Sequence, residues 1–277
     1  MFKHKLYLIE TLTNTNVGSG DANFGMVDSL IQKDPVTFLP VFHSSSIKGA
    51  LKEHMEQYKD SELFDDDIKI IFGDKEDKPG KVKFYEARLL TLPLRSTKKV
   101  YHNCTAPLAI LDYLDALETF CGNEEVRELK NFIQGLSFKG KIFLTFGNET
   151  DLEIEDYGDK ERAPVPIGDR EKELIMKYIG AGNLAIFKDE IFSEICEQSL
   201  PVIARNQIGD DGTSKNLFYE EVLPRRSRLW FMLGTDENEA INHKFEKILT
   251  SDLIQFGANA SIGHGVTKIR LVVEGKK

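Results

Sequence analysis

Asp28 is the residue whose type and setting could carry chemistry most directly: a carboxylate in a polar, glycine-bearing stretch, flanked by Val27 and by the apolar pair Leu30-Ile31. A loop aspartate commonly caps or closes a turn. Beside a phosphate, the same group can take a proton, or hold a divalent metal through oxygen, during attack on phosphorus. Two further segments offer phosphate contacts. Gly257-Ala258-Asn259-Ala260-Ser261-Ile262-Gly263-His264-Gly265 is mostly small residues, so a ligand backbone can approach its amides; the same composition suits a tight connector needing positive φ. Ser44-Ser45-Ser46-Ile47-Lys48-Gly49 gathers hydroxyls, amides and a lysine at an expected helix start, where the helix dipole attracts anions and where a serine can equally be an ordinary N-cap.

Other chemistries are excluded by spacing. Gly18-Ser19-Gly20 has no third glycine at the dinucleotide-binding interval, and no GxxxxGK[ST] loop is present. His4, His43, His54, His102, His243 and His264 form no HxxxH or HExxH pattern, no CxxC pair offers a zinc site, and no GxSxG elbow occurs. Glu220 and Glu221 follow Phe218-Tyr219 and precede the run Arg225-Arg226-Ser227-Arg228. That run reads either as a charged strand end with solvated arginines or as arginines near phosphates with aromatics near bases.

The elements that must position these residues follow from periodicity. Residues 5–13 alternate, with Leu6, Leu8 and Leu12 on one face and Tyr7 and Ile9 on the other, which predicts a strand buried on both sides or at an interface. Ile47, Ala50, Leu51, His54, Met55 and Tyr58 fall at helical spacing. The charged segment 59–80 reads as an exposed connection around a short strand from Ile68 to Phe72, followed by a strand over 81–94. Thr105 and Pro107 read as the N-cap and first turn of a helix carrying Ile110, Leu114, Leu117 and Cys121, with another helix over 124–134. Ile142, Leu144 and Phe146 alternate as a strand, and the acidic stretch 148–170 reads as a linker or insertion. A helix near 188–197 precedes two strands, 200–208 and 216–223, joined through Asp210-Asp211-Gly212. Strand 228–233, a helix over 240–250 and strand 266–273 close the chain. The order suggests an α+β, ferredoxin-like βαββαβ core with long insertions.

The chain has 277 residues, 41% of them hydrophobic, enough to bury a substantial core. Its formal charge of -9 argues against gripping nucleic acid with the whole surface, so any basic site must be local, with the acidity gathered in 59–80, 112–125 and 148–170. Cys104, Cys121 and Cys196 are too few and scattered for a disulfide framework, and no signal region or apolar run of membrane-spanning length is seen, so a cytoplasmic protein without membrane partners is expected.

Taken in order, Gly18-Ser19-Gly20, Val27-Asp28 with Ile31-Gln32, Ser44 to Gly49, Ala87-Arg88-Leu89-Leu90 with Pro93-Leu94-Arg95-Ser96, Tyr219-Glu220-Glu221 with Leu223-Pro224, and Gly257 to Gly265 resemble the RAMP superfamily, specifically the repeating backbone subunit of type III-B CRISPR effector (Cmr) complexes. The resemblance spans nearly the full chain. It implies one domain over 1–277, with a modified RNA-recognition-motif palm, an insertion at roughly 148–198 and a β-hairpin thumb at roughly 200–218. It also implies copies stacked head to tail on a guide RNA (crRNA) beside other Cmr subunits. Target RNA would be cut at regular intervals with a divalent metal, Mg2+ being the expected ion. The essential aspartate of the first long loop falls on Asp28. Expected RNA contacts are Gly18, Ser19, Gly20, Ser45, Ser46, Lys48, Arg205, Gly257, Asn259, Gly263, His264 and Gly265.

Two positions depart from the pattern: Asn16 stands where relatives often carry a histidine, and His264 where a basic residue is common. The first makes Glu220 or Glu221 candidates for a second acidic role. Alternatives are a non-catalytic RNA scaffold in which Asp28 only organises a loop, the equivalent type III-A backbone ribonuclease, and a stand-alone guide-processing nuclease. If Lys48 pairs with a guide phosphate, Lys48→Ala reduces the slope of log affinity against log salt by about 0.7 on single-stranded RNA. Titration of RNA binding across a salt series checks this, and an unchanged slope removes Lys48 from the contact set.

Overall fold

The computed structural model describes residues 2–20, 25–59, 63–74, 78–138, 140–144, 151–159, 167–208, 210, 212–236 and 239–275. The opening alternation forms β1 (Lys3–Thr11), followed after a long loop by β2 (Val41–Phe42), α1 (Ser44–Glu56) and α2 (Asp65–Phe72). Next come β3 (Lys83–Phe84), β4 (Ala87–Arg95), β5 (Tyr101–Thr105), α3 (Pro107–Cys121), α4 (Val126–Gln134) and β6 (Ile142–Leu144). A small hairpin, β7 (Leu152–Ile154) and β8 (Tyr157–Asp159), precedes α5 (Asp169–Tyr178), β9 (Leu184–Phe187) and α6 (Asp189–Gln198). The chain then forms a second hairpin from β10 (Val202–Ile208) and β11 (Ser214–Glu221), and finishes with β12 (Arg228–Thr235), α7 (Glu239–Ser251), β13 (Leu253–Gln255) and β14 (Val266–Glu274).

One mixed sheet runs in the order β13-β14-β1-β12-β4-β5-β9-β6. Within it, β1 pairs antiparallel with both β12 and β14, and β12 pairs antiparallel with β4. With α1 lying between β1 and β4 in the chain, and α7 between β12 and β14, these four strands form two interleaved β-α-β units, the split arrangement expected of a βαββαβ core. Alternation along β1 explains why this strand is central. Tyr7 and Ile9 enter a cluster with Ile47, Phe231 and Phe245, while Leu6 and Leu8 enter a second with Ile110, Tyr113 and Trp230. Helices therefore cover both faces. Leu12, expected on the buried face, is 41% exposed because β1 ends one residue earlier.

Several expectations change. Ile68 to Phe72, expected as a strand, is the end of α2. Asp65, Asp66 and Asp67 fill its first turn, where carboxylates complement the dipole, and Asp67 Oδ2 accepts the Phe64 amide at 3.1 Å. Thr105 stays in β5, and Ala106 caps α3 without a side-chain bond, with Pro107 in the first turn as expected. The 81–94 strand is broken at Tyr85-Glu86 into β3 and β4. β9, within 148–198, pairs parallel with β5 and so lies in the main sheet. Phe146, residues 148–150 and 160–166, and Asp211 of the expected hairpin turn lie outside the described residues. No described helix is long and apolar enough to cross a membrane.

Beyond the second cluster, α4 and α5 are tied at the surface. Glu125 accepts from Lys177, from the Tyr178 hydroxyl at 2.6 Å and from Arg170 at 3.2 Å. The Lys177 hydrogen bond, then those from Tyr178 and Arg170, hold the Glu125 carboxyl down at about 2. Because the folded value is depressed, this contribution is fully present above the ordinary 4.5 and is lost as pH falls toward about 2. Glu125→Gln therefore lowers the melting temperature most above pH 4.5, and the gap from wild type narrows on acidification. Thermal melts across that range check the sign.

Candidate nucleic-acid interface

Asp28 lies on a segment that runs alongside the base of the β10–β11 hairpin. Its amide donates to the Tyr219 carbonyl at 2.9 Å, and its Oδ2 accepts the Tyr219 amide at 2.7 Å. Ser29 bridges Glu220 in parallel register, and the Glu221 amide donates to the Ser29 carbonyl at 2.9 Å. The side chain of Asp28 is exposed, so its second oxygen can face a ligand. Buried Ile31 and Val17 pin the two arms of this loop into the core, with Ser19 donating to the Leu30 carbonyl and Gln32 to the Val17 carbonyl, both at 2.9 Å.

Three buried polar groups lock that placement. Glu221 is 4% exposed; its Oε2 accepts the Ile31 amide at 3.1 Å and its Oε1 pairs with Lys33 at 2.7 Å. Asn16, 2% exposed, donates from Nδ2 to the Glu221 carbonyl at 2.7 Å and to Ser29 Oγ at 3.4 Å. Gln32 staples the loop to α1: its Nε2 donates to the Gly18 carbonyl and to Ser46 Oγ, each at 3.0 Å, and its Oε1 accepts the His43 amide at 2.7 Å.

The start of α1 and the glycine loop meet beneath the surface through Phe42 and Phe256, whose ring centroids are 5.6 Å apart. The N-cap of α1 is His43, with no side-chain cap bond; the serines expected to cap the helix occupy its first turn instead. Ser44, Ser45 and Lys48 are exposed there, and Lys48 has no ion-pair partner among the described residues. An N-terminal turn whose amides no side chain caps is a setting for an anion.

The glycine loop divides into two functions. Gly257 and Gly265 have φ of +79° and +80°, and a Cβ on either would sit 2.1 Å from a backbone oxygen, Asn16 O and Phe256 O respectively. Both glycines are thus required by close backbone approach. Gly263 and Gly20 also have positive φ but face open space. Backbone bonds already use the amides of Ala258, Ile262, Gly263, His264 and Gly265, so a phosphate meets only the remainder of the loop. Asn259, at φ +68°, shares its side chain with Glu220 and Arg205. His264 is half-buried, its carbonyl accepting from Gln255 at 2.6 Å.

Arg205 does not present a free guanidinium. It is paired with Glu220 at 3.0 Å, bonded to Asn259, and stacked over Phe218 at 5.0 Å. Glu220 and Glu221 are both buried and engaged. Asp28 with Gly18–Gly20, α1 and the glycine loop are therefore brought together by a polar clamp in which Asn16 and Gln32 stood out only as positions of the family pattern, and Lys33 not at all. The clamp's partners lie 11 to 205 positions apart, and no local signal marks such pairs. Among the described residues no group of three or more His, Cys, Asp or Glu side chains could hold a metal.

This is a mixed α/β protein in which a loop carboxylate, the start of a helix and a glycine loop are joined at the base of a β-hairpin. The sequence model of the RAMP superfamily matches residues 8–268, and the chain belongs to that superfamily. A similar protein is the CRISPR system Cmr endoribonuclease Cmr4 of Pyrococcus furiosus, 26% identical over 295 aligned positions covering 96% of each chain. The fold is similar to that of a type III-B Cmr-beta complex solved by cryo-EM in the apo state, with TM-score 0.76 and 23% identity over 97% of each chain. It is also similar to the crystal structure of oligomeric Cmr4 from Pyrococcus furiosus, with TM-score 0.72 and 20% identity over all of both chains.

The two kinds of glycine separate by substitution. Gly263→Ala meets only the left-handed penalty, about 1–2 kcal/mol, whereas Gly257→Ala adds a backbone clash of about 1–3 kcal/mol more. Chemical denaturation of both variants checks the order; equal losses contradict the close approach to Asn16.

Proposed function

We propose that this chain is the repeating backbone subunit of a type III-B CRISPR RNA-guided effector. In this reading copies bind crRNA head to tail beside other Cmr subunits, and each copy cleaves the paired target RNA at a regular interval. The superfamily membership and the full-length similarity to a Cmr endoribonuclease support the assignment. The observation that carries the chemistry is the carboxylate of Asp28, exposed on one side and fixed on the other by the Tyr219 amide at 2.7 Å.

The hairpin that anchors Asp28 acts as the thumb that interrupts the guide–target duplex. Distortion there lets a ribose 2′-oxygen, the adjacent phosphorus and the departing 5′-oxygen align. Asp28 takes the 2′-hydroxyl proton as that oxygen bonds to phosphorus, and the P–O5′ bond breaks as the departing 5′-oxygen takes a proton from water, giving a 2′,3′-cyclic phosphate and a 5′-hydroxyl end. The glycine loop and the α1 terminus hold RNA without cutting it. Among the described residues no group of three candidate ligands stands at this place, so a divalent ion, Mg2+ in this reading, would be held by Asp28 together with RNA phosphates and water. No step is assigned to it.

Asp28→Asn is the informative variant, because the amide oxygen still accepts from Tyr219 but cannot take the proton. In the reconstituted complex with guide, target and magnesium, cleavage falls by about 10²–10⁴ while assembly and RNA affinity are retained. Wild-type cleavage by Asp28→Asn rules out the base assignment, and absence of cleavage by the wild-type complex leaves the scaffold reading. Analysis of product ends for the cyclic phosphate checks the route.

A further inference from the structure

The turn at Pro224 to Ser227, which enters β12, contains a residue in the wrong conformation for its type. Arg226 has φ +73°, in the left-handed region where glycine or asparagine is accommodated and a long L side chain is strained. Nothing in the turn itself calls for arginine. Buried Thr11 and Ser227 hold its geometry: the Arg226 amide donates to the Thr11 carbonyl at 2.6 Å, the Ser227 amide to Thr11 Oγ1 at 3.0 Å, and both hydroxyls to the Pro224 carbonyl at 2.7 and 2.8 Å. Strain of this kind persists where the side chain is used.

That side chain is exposed and pre-oriented. Its Nη1 donates to the Tyr101 hydroxyl at 3.0 Å and its guanidinium lies 5.4 Å from the Tyr101 ring centroid. The guanidinium is thus held against tyrosine, with further N–H donors directed elsewhere. Exposed Arg225 precedes it and exposed Lys98 lies in the loop entering Tyr101; neither has an ion-pair partner among the described residues. Two nearby carboxylates are held by other arginines, Glu10 by Arg228 at 3.8 Å and Glu155 by Arg95 at 2.6 Å. The turn adjoins the glycine loop through Asn14, whose Oδ1 accepts the Arg225 amide at 3.2 Å while its carbonyl accepts the Gly265 amide at 2.9 Å.

We infer that Arg225, Arg226, Tyr101 and Lys98 form an additional single-stranded RNA contact that continues the track past the glycine loop, with an unpaired base stacking on the Arg226 guanidinium and phosphates meeting its remaining N–H donors, Arg225 and Lys98. Arginine planes stack on splayed bases while their donors reach phosphate. The inference rests on the RNA-binding reading above.

Strain and function predict opposite effects for Arg226→Gly. The full chain should melt at the same or a higher temperature. Its affinity for a short unstructured single-stranded RNA should fall, with the salt slope reduced by about 0.7. Arg226→Lys should keep the slope and lose affinity, since the ammonium retains charge but not the stacking plane. A wild-type slope in Arg226→Gly overturns the inference while leaving the functional reading intact; absence of salt-dependent RNA binding by the wild-type chain overturns both. If Arg226→Gly does not fold, Arg225→Ala decides by the same slope.

Discussion

The placement of the Asp28 carboxylate depends on one buried interaction, the Glu221 side chain spanning Lys33 and the Ile31 amide. Glu221 belongs to β11, whereas Ile31 and Lys33 belong to the loop after β1, so this carboxylate joins two segments that the chain separates by about 190 residues. Removing one partner of a buried pair leaves an uncompensated charge and costs about 3–5 kcal/mol. The pair also fixes register: with Ile31 held, Ser29 and Asp28 must fall opposite Glu220 and Tyr219.

From that anchor the interface extends through polar groups that are themselves buried. Asn16 carries the connection from the Glu221 carbonyl to the glycine loop, since its own carbonyl accepts the Ala258 amide at 2.8 Å. Glu220, Arg205 and Asn259 close a second link between both hairpin strands and that loop. Two consequences follow. The base of the hairpin, the Asp28 segment and the glycine loop behave as one body, which suits a site that must hold geometry within about half an ångström. Beyond Arg205 the hairpin is exposed on most positions and is free of the core, as a projecting arm that meets a ligand must be.

The outline of this architecture was legible because it is local. β1 announces itself through alternation of Leu6, Tyr7, Leu8 and Ile9, and α1 through the spacing of Ile47, Leu51 and Met55. Asp28 and the glycine loop stood out through residue type. What stayed hidden is non-local or polar. The segment from Ile68 to Phe72 has apolar residues that suit a strand, yet Ile68, Ile71 and Phe72 are buried at helical spacing and three aspartates fill the first turn of the helix that carries them. Arg205 reads as a spare cation until Glu220 and Asn259 are seen beside it. Lys33 looks like an ordinary loop lysine, although its ammonium is bound by the Glu221 carboxylate and the Glu197 carbonyl, both far along the chain. The net charge of -9 follows the same logic, because carboxylates such as Glu220 and Glu221 are consumed internally and do not face the RNA side.

The account's central claim is that the Asp28 segment, the hairpin base and the glycine loop are held as one body by the Glu221 anchor. Native-state hydrogen exchange of the Asp28, Ile31, Tyr219, Ala258 and Gly265 amides in wild type and Glu221→Gln tests it most directly. The account predicts that all five are protected together in wild type and lose protection together in the variant. A loss confined to Ile31, with Tyr219 and Ala258 unchanged, would contradict it.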